Sequence, residues 1–259
     1  MIGSWSVPIV ITNRNLTSWP KAMIQDLRRM NGCGPIVIVD NDSTAPETLE
    51  WYDSLDSDKD IAIIYTRVNM GHTAPWMVGI PNALYSQYGF REYIVTDPDL
   101  DLSGCPKDTL IMLREMLHEM DPSPYKYKGE GVFKDVQFFC KDKIGLGIRI
   151  DDVPGDALFF NECERQYWEQ KPMRPNYKNP LLPQVIPAPV DTTFALYVWE
   201  RNSTYGIGGC RTMDPLVRHL PYYVTESNLD DHQEFRNYLK KATEFSTCIQ
   251  TIKAKNLQI

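Results

Sequence analysis

The stretch Tyr93–Asp101 (YIVTDPDLD) contains the pattern that decides the fold of the chain. Its first four residues predict a short buried strand, and an Asp-Pro-Asp turn follows at once. Three similar runs precede it in the sequence: Pro8–Thr12 (PIVIT), Ile36–Asp40 (IVIVD) and Ile61–Thr66 (IAIIYT). Strands this short and this uniformly apolar are typical of a parallel sheet that helices cover on both faces.

Helical patterns lie between these strands. The predicted helices are Pro20–Met30, with Ser18 as its cap, then Ala45–Asp53 and Pro106–Met120. Alternation of strands and helices predicts an α/β protein with a mostly parallel central sheet, joined by right-handed crossovers and flanked by helices.

The second half of the chain is less regular. We predict strands at Ile144–Ile150 and Thr192–Val198, and helices at Glu162–Gln170 and Leu229–Glu244. The proline-rich stretch Lys171–Pro189 is predicted to be an ordered loop. No internal repeat or flexible linker separates these segments, so one compact domain is expected.

The composition argues against several classes of protein. The chain has 259 residues, is 42% hydrophobic and carries a formal net charge of −7, which disfavours nucleic acid and anionic membranes as partners. No apolar run reaches the length of a membrane-spanning helix, and the first residues lack the pattern of a secretory signal. The six scattered cysteines fit neither a zinc site nor a disulfide framework. We therefore predict a cytoplasmic protein with no integral membrane segment.

Two carboxylates, Asp97 and Asp99, follow the strand of the opening segment. Ligands of open α/β sheets bind beyond the carboxyl ends of the strands. Two carboxylates with one residue between them can bind Mg²⁺ or Mn²⁺ together with a diphosphate. The cation would then neutralise the negative charge that develops on a departing nucleoside diphosphate. The alternative is a surface turn rich in Asp and Pro. The position directly after a buried strand favours the metal site.

Polar residues also follow the second and third predicted strands. Asp40, the last residue of IVIVD, is placed to accept a hydrogen bond from a base or ribose, and the alternative is an Asx turn that leads into a helix cap. Asn69 and Gly71 follow the third strand, where glycine permits close approach of a ligand. The alternative for this pair is a simple tight turn.

Taken in order, these segments resemble the N-terminal halves of GT-A fold glycosyltransferases, particularly family 2-like members. The segments are PIVITNRN (8–15), IVIVDNDST (36–44), NMGH (69–72) and TDPDLD (96–101). Three later segments resemble a branch of bacterial and viral glycosyltransferases: IGLGIRIDD (144–152), APVDTTFALY (188–197) and RHLPYY (218–223). The resemblance spans residues 7–223 and rests on the ordered set.

The resemblance implies a Rossmann-like GT-A fold in a single domain, residues 1–259. Residues 1–120 would form the nucleotide-sugar half and residues 121–259 the acceptor half. The implied activity is a metal-dependent transfer of a sugar from a nucleotide-sugar donor, with UDP as the default nucleotide. The acceptor is a glycan or another hydroxyl-bearing molecule; modified DNA is also considered, but the acidic net charge disfavours it.

The resemblance also assigns roles to individual residues. Asp99 is the expected direct metal ligand, with Asp97 nearer the ribose and also assigned to the metal and nucleotide site. His219 is expected to be a third metal ligand, since some GT-A enzymes place a histidine from the C-terminal region on the metal and an imidazole favours Mn²⁺ over Mg²⁺; the alternative is a structural histidine. The residues expected to contact the nucleotide are Thr12, Arg14, Asp40, Asn69 and Gly71.

The remaining candidate residues would bind the diphosphate or act as the catalytic base. Arg211 and Arg218 are expected to face the diphosphate, because a guanidinium matches phosphate geometry; the alternative is a solvated surface arginine. If the enzyme inverts the anomeric centre, a carboxylate must deprotonate the acceptor. Asp191 is favoured for this role, with Asp151 and Asp152 as the other candidates and turn capping as the alternative for all three. The Glu-Asp pair usual in inverting family 2 enzymes is not recognisable, and a retaining enzyme would need no base.

Two other functions are weighed against this one. A nucleotidyltransferase also pairs carboxylates with a metal on an α/β sheet, but it usually carries a glycine-rich phosphate loop, and ITNRNLTSW (11–19) contains no glycine. A non-catalytic nucleotide- or carbohydrate-binding protein of the same fold is the other alternative. The Asp-x-Asp pair favours the transferase.

Overall fold

The computed structural model describes residues 5–120, 124–126, 137–139, 142–175, 177–190, 192–206, 208–242 and 246–255. The strands are β1 (Val7–Asn13), β2 (Cys33–Asp40), β3 (Ile61–Tyr65), β4 (Glu92–Thr96), β5 (Leu100–Asp101), β6 (Pro124–Lys126), β7 (Gln137–Phe139), β8 (Lys143–Ile148), β9 (Val185–Ile186), β10 (Ala195–Val198) and β11 (Cys210–His219). The helices are α1 (Ser18–Arg28), α2 (Pro46–Ser54), α3 (Ala74–Met77), α4 (Ile80–Tyr88), α5 (Thr109–Glu119), α6 (Cys163–Trp168), α7 (Trp199–Asn202), α8 (Gln233–Lys241) and α9 (Thr247–Lys255).

One sheet runs through both halves of the chain, in the order β3-β2-β1-β4-β10-β8-β11-β5, with β9 beside β11. The strands β1, β2, β3 and β4 pair in parallel, and β10 joins β4 in the antiparallel sense. The predicted α/β class and the mostly parallel central sheet are confirmed. Because β1 lies between β2 and β4 and under both helical layers, every one of its residues is buried.

Helices cover the sheet on both faces, as the apolar strands predict. Ile9 and Ile11 of β1 belong to a core that α1 and α5 complete, while Val10 belongs to a second core with residues of α3 and α4. Alternate side chains of one strand therefore enter two different cores, which is why the strand sequences are continuously apolar.

Several helices and strands begin or end at residues other than those predicted. The predicted helix Pro106–Met120 begins at Thr109, and the predicted strand Thr192–Val198 begins at Ala195. The predicted helix Leu229–Glu244 is a 3-10 turn at Leu229–His232 followed by α8, with residues 243–245 outside the described part. In the described part of the chain, no helix combines the length and apolar composition needed to cross a membrane.

Candidate active site

A cavity of 260 Å³ lies at the carboxyl ends of the parallel strands. Its lining comes from the exits of β1, β2, β3 and β4, from the end of β11, and from the C-terminal segment that contains α8 and the start of α9. The edge of a sheet where parallel strands end is the usual ligand site of α/β proteins. The lining includes these residues from the sequence predictions: Thr12, Arg14, Asn69, Gly71, Asp97, Asp99 and His219.

The backbone of β5 and β11 brings Asp99 and His219 together. Leu100 of β5 pairs with His219 of β11, and the Leu220 N–H donates to the Asp99 carbonyl at 2.8 Å. As a result, Nε2 of His219 lies 3.4 Å from Oδ1 of Asp99. The His219 ring also packs edge-on against Tyr222, with centroids 4.4 Å apart.

The charge of Asp99 changes the protonation of His219. Burial works against the imidazolium, but the negative charge of Asp99 and the contact with its carboxylate outweigh it, so the pKa of His219 is raised. Within the described part of the chain, Asp99 Oδ1 and His219 Nδ1 are buried and make no hydrogen bond. The charge of Asp99 Oδ1 is compensated by the imidazole at 3.4 Å, so the buried atom left without a contact partner is His219 Nδ1, and a ligand that used Nδ1 would relieve the cost of its burial.

The Asp97 carboxylate is oriented by a residue from the second half of the chain. Its Oδ1 accepts a hydrogen bond of 2.8 Å from the hydroxyl of the buried Thr192, which also lines the cavity. Asp97, Asp99 and His219 together offer carboxylate and imidazole donors, a set that suits Mn²⁺. Among the described residues, however, no group of three His, Cys, Asp or Glu side chains is gathered closely enough to hold a metal ion. The residues fit a divalent cation in their chemistry, but they are not preassembled around it.

Asn41 organises the loop after β3. Its Nδ2 donates to Asn69 Oδ1 at 2.9 Å and to the Gly71 carbonyl at 3.1 Å, and its Oδ1 accepts from the Met70 N–H at 2.7 Å. Gly71 has a φ of +67°, which a side chain would disfavour. Asn41 was not among the predicted site residues, although its place directly after Asp40 at the end of a buried strand could have indicated it.

The C-terminal segment closes one side of the cavity. Arg14 donates through Nη1 to the Lys241 carbonyl at 2.7 Å, and Lys241 Nζ donates to Thr44 Oγ1 at 3.1 Å. The cavity residues from this segment include Tyr238 and Cys248. Sequence reasoning missed them, because contacts between the first and last parts of a chain leave no local pattern.

Glu234 of α8 caps the amino terminus of α1. Its carboxylate accepts from the N–H groups of Thr17 and Ser18, and α1 has no side-chain N-cap bond or acidic first turn of its own. We expect Glu234→Ala to lower the free energy of unfolding by about 1 kcal/mol, as for the loss of other helix caps. Urea denaturation measures this, with exposed Glu226→Ala as the control. Equal stability of the two variants would refute the cap.

Other predicted residues lie away from the cavity lining. Asp40 is 3% exposed, and its carboxylate accepts from the Tyr52 hydroxyl at 3.1 Å and the Ser43 N–H at 3.2 Å. The buried Arg211 donates to Glu164 at 2.9 Å and to the Pro189 carbonyl at 3.0 Å. Neither residue is directed to a diphosphate or a base in this arrangement.

Arg218 and the acidic pair after β8 form a separate cluster. Arg218 donates to Asp152 Oδ2 at 3.0 Å, and the Tyr223 hydroxyl donates to Asp152 Oδ1 at 2.5 Å. Burial works in the opposite sense, but these hydrogen bonds leave the pKa of Asp152 below its ordinary value, which does not favour proton abstraction. Asp151 is 77% exposed, near Arg149. Asp191 lies outside the described residues.

No protein-family model and no curated protein matches the chain. Solved structures give distant likenesses. The structure of S. aureus TarS 1–349 has a TM-score of 0.43 and 11% identity, over 96% of this chain and 70% of that chain. A longer TarS structure has a TM-score of 0.35 and 14% identity, over 59% of this chain, and the match spans only 24% of the TarS chain.

Two further structures are similar to the chain at the same level. Mannosyltransferase PcManGT from Pyrobaculum calidifontis, in complex with GDP-Man and Mn²⁺, has a TM-score of 0.44 and 10% identity, over 96% of this chain and 68% of that chain. The 4-diphosphocytidyl-2C-methyl-D-erythritol synthase from Anaerococcus prevotii has a TM-score of 0.39 and 8% identity, over 98% and 84%. Glycosyltransferases are thus among the structural neighbours. All these TM-scores lie below 0.5, so the likeness to these structures carries no argument about function.

Proposed function

We propose that this protein is a glycosyltransferase that takes a sugar from a nucleotide-sugar donor with the help of a divalent cation. The observation that supports this function best is the meeting of Asp97, Asp99 and His219 with the polar exits of β1, β2 and β3 on one cavity. The ordered resemblance of the sequence to GT-A glycosyltransferases supports the same function.

The charges of the cavity support a requirement for metal. Among the described lining residues, Arg14 is the only lysine or arginine, and it already donates to two backbone carbonyls, those of Asp42 and Lys241. A diphosphate beside Asp97 and Asp99 would be repelled by their carboxylates. Two like unit charges about 5 Å apart repel each other by about 3 kcal/mol at an effective dielectric constant near 20. A cation between the carboxylates and the diphosphate converts this repulsion into attraction.

Asp97, Asp99 and His219 are the proposed metal ligands. The cation, Mn²⁺ or Mg²⁺, would act as a Lewis acid toward the leaving diphosphate. The protein itself contributes the orientation of these groups: the β5–β11 pairing fixes Asp99 against His219, and Thr192 fixes Asp97. Asp191 remains the proposed base for an inverting reaction, because it directly precedes Thr192 in the chain.

Loss of the Thr192 hydroxyl tests this supporting role. We expect Thr192→Val to weaken apparent Mn²⁺ affinity about 10- to 100-fold, since removal of a group that orients a metal ligand commonly has this effect. Titration of Mn²⁺ followed by its electron paramagnetic resonance signal measures the affinity. Thr193→Val, a change at the neighbouring buried threonine outside the cavity lining, is the matched control. Unchanged Mn²⁺ affinity in Thr192→Val would contradict the role.

The products distinguish a glycosyltransferase from a nucleotidyltransferase. With Mn²⁺ and a panel of UDP-, GDP- and dTDP-sugars, we expect release of the nucleoside diphosphate, including slow transfer to water when no acceptor is present. A nucleotidyltransferase would instead release pyrophosphate from a nucleoside triphosphate and a sugar phosphate. Release of pyrophosphate, with no nucleoside diphosphate from any nucleotide sugar, would refute the proposed function.

A further inference from the structure

We propose that the free edge of β3 is a dimer interface, where a second copy of this chain adds its own β3 in the antiparallel sense. The two sheets would then form one sheet that continues across a two-fold axis. The surface that receives the partner is the backbone of Ile61–Tyr65 together with the exposed apolar side chains beside it. This inference does not depend on the proposed function, because no residue of β3 lines the cavity.

The strand β3 ends the sheet on one side. In the described part of the chain it pairs only with β2. Proteins usually protect such an edge with a lysine, a proline, a bulge or a covering segment, because its unpaired N–H and C=O groups can pair with another chain. The sequence Ile61–Tyr65 (IAIIY) contains no charged residue, proline or glycine, and the nearest charges, Asp60 and Arg67, lie beyond its two ends. An edge of this composition is suited to pairing with another strand.

Two hydrogen bonds define which backbone groups of β3 face the free edge. The Ile36 N–H donates to the Asp60 carbonyl at 2.8 Å, and the Thr66 N–H donates to the Asp40 carbonyl at 3.0 Å. Asp60 and Thr66 therefore direct these groups to β2. Successive residues of a strand direct their N–H and C=O groups to opposite sides. The residues of β3 whose N–H and C=O groups point to the free edge are Ile61, Ile63 and Tyr65.

One antiparallel register uses all of these groups. When Ile63 lies opposite the partner's Ile63, Ile61 lies opposite the partner's Tyr65 at one end, and the same pair forms at the other end. Residues that face each other in this way exchange both N–H···O=C bonds, so every outward group of the two strands is paired. A shift of two residues in either direction would place Ile61 or Tyr65 beyond the end of the partner's strand.

The side chains match in the same register. Ile61 against the partner's Tyr65 is a pair of a β-branched and an aromatic residue, which stabilises antiparallel sheets, and the two-fold axis makes it occur twice. Ala62 faces the partner's Ile64 on the other side of the sheet. Tyr65 is 49% exposed and Ile64 is 37% exposed in the single chain, so pairing would remove apolar surface from water. Because the strand matches its own reverse, a second copy is favoured over an unrelated partner.

The proposed dimer leaves each cavity complete. A two-fold axis perpendicular to the sheet reverses the direction of the strands in the partner. The carboxyl ends of β1 to β4, where the cavity lies, would therefore open at opposite edges of the continuous sheet in the two copies. Loss of the dimer should leave nucleotide binding unchanged.

Sedimentation velocity of the wild-type protein between about 1 and 200 µM tests the association. We expect a dimer with a dissociation constant on the order of micromolar, as for small interfaces. Ile64→Lys places two like charges near the axis and should raise the dissociation constant at least about tenfold. Ile111→Lys is the matched control, because Ile111 of α5 is also 37% exposed. A monomer at every concentration, or equal dissociation constants for the two variants, would overturn the proposal.

A disulfide tests the register itself. Ala62 and the partner's Ile64 form a non-hydrogen-bonded pair, whose Cα atoms lie about 4.5 Å apart, within the range that a disulfide spans. The double variant Ala62→Cys/Ile64→Cys should become a covalent dimer under mild oxidation, with residue 62 of one copy linked to residue 64 of the other. Each single variant faces an unchanged residue and should not cross-link above wild type, which also controls for the six native cysteines. A double variant that cross-links no more than the single variants would overturn the proposed pairing.

Discussion

Asp99→Asn is expected to weaken Mn²⁺-dependent nucleotide binding by at least about a hundredfold. Asp99 Oδ1 is buried 3.4 Å from His219 Nε2, on the cavity that also contains Asp97, and the proposed cation would bind this carboxylate. Loss of a group that merely supports a metal ligand already costs about 10- to 100-fold, and loss of the ligand itself should cost more. Calorimetric titration of the nucleotide that wild type prefers, with Mn²⁺ present, measures the effect.

Asp101→Asn is the matched control for this variant. Asp101 lies in the same acidic segment, outside the cavity lining, and its Oδ1 accepts from the Ser103 N–H at 2.9 Å. We expect this variant to bind nucleotide as wild type does. Wild-type affinity in Asp99→Asn, with Asp101→Asn unchanged, would contradict the assignment of Asp99 to the metal.

Glu164→Gln is expected to lower the free energy of unfolding by about 3–5 kcal/mol, the usual cost of removing one charge of a buried ion pair. The side chains of Arg211 and Glu164 are 4% and 7% exposed, and Nη1 lies 2.9 Å from Oε2. The change leaves the guanidinium without its carboxylate in a poorly solvated site, where it also stacks on the Tyr167 ring at 4.8 Å. Urea denaturation at 25 °C measures the loss.

Glu162→Gln provides the exposed counterpart. Glu162 pairs with Arg165 on the surface, with side chains 74% and 58% exposed, so its loss should change stability by less than about 1 kcal/mol. Equal losses in the free energy of unfolding for the two variants would contradict the claim that burial makes the Arg211–Glu164 ion pair more costly to break.

The sequence predicted the parts of the fold that depend on local pattern. The strands β1, β2 and β4 are continuously apolar because both faces of the sheet are covered, so their composition alone indicates them. The strand β11 was missed, because Met213-Asp214-Pro215 interrupts its apolar pattern where its pairing with β8 shifts register. The helices α3 and α4 were also missed, because Pro75, Gly79 and Pro81 interrupt the segment that contains them.

Site residues whose position depends only on where a strand ends could be predicted from the sequence. Residues whose position depends on an ion-pair partner elsewhere in the chain could not. Asp97 and Asp99 follow a buried strand, so their place at the sheet edge follows from the fold. The partners of Arg211 and Arg218 depend on distant carboxylates, Glu164 and Asp152, that no local pattern pairs with them. The functional roles of these residues stay predictions.

The most direct test of the central claim is calorimetric titration of wild-type protein with UDP, GDP and dTDP, with Mn²⁺ and with EDTA. We predict that at least one of these nucleotides binds with Mn²⁺ and that its affinity falls at least about tenfold when the metal is removed. Absence of binding to all three with Mn²⁺, or equal affinity with Mn²⁺ and with EDTA, would contradict a metal-dependent nucleotide-sugar site at Asp99 and His219.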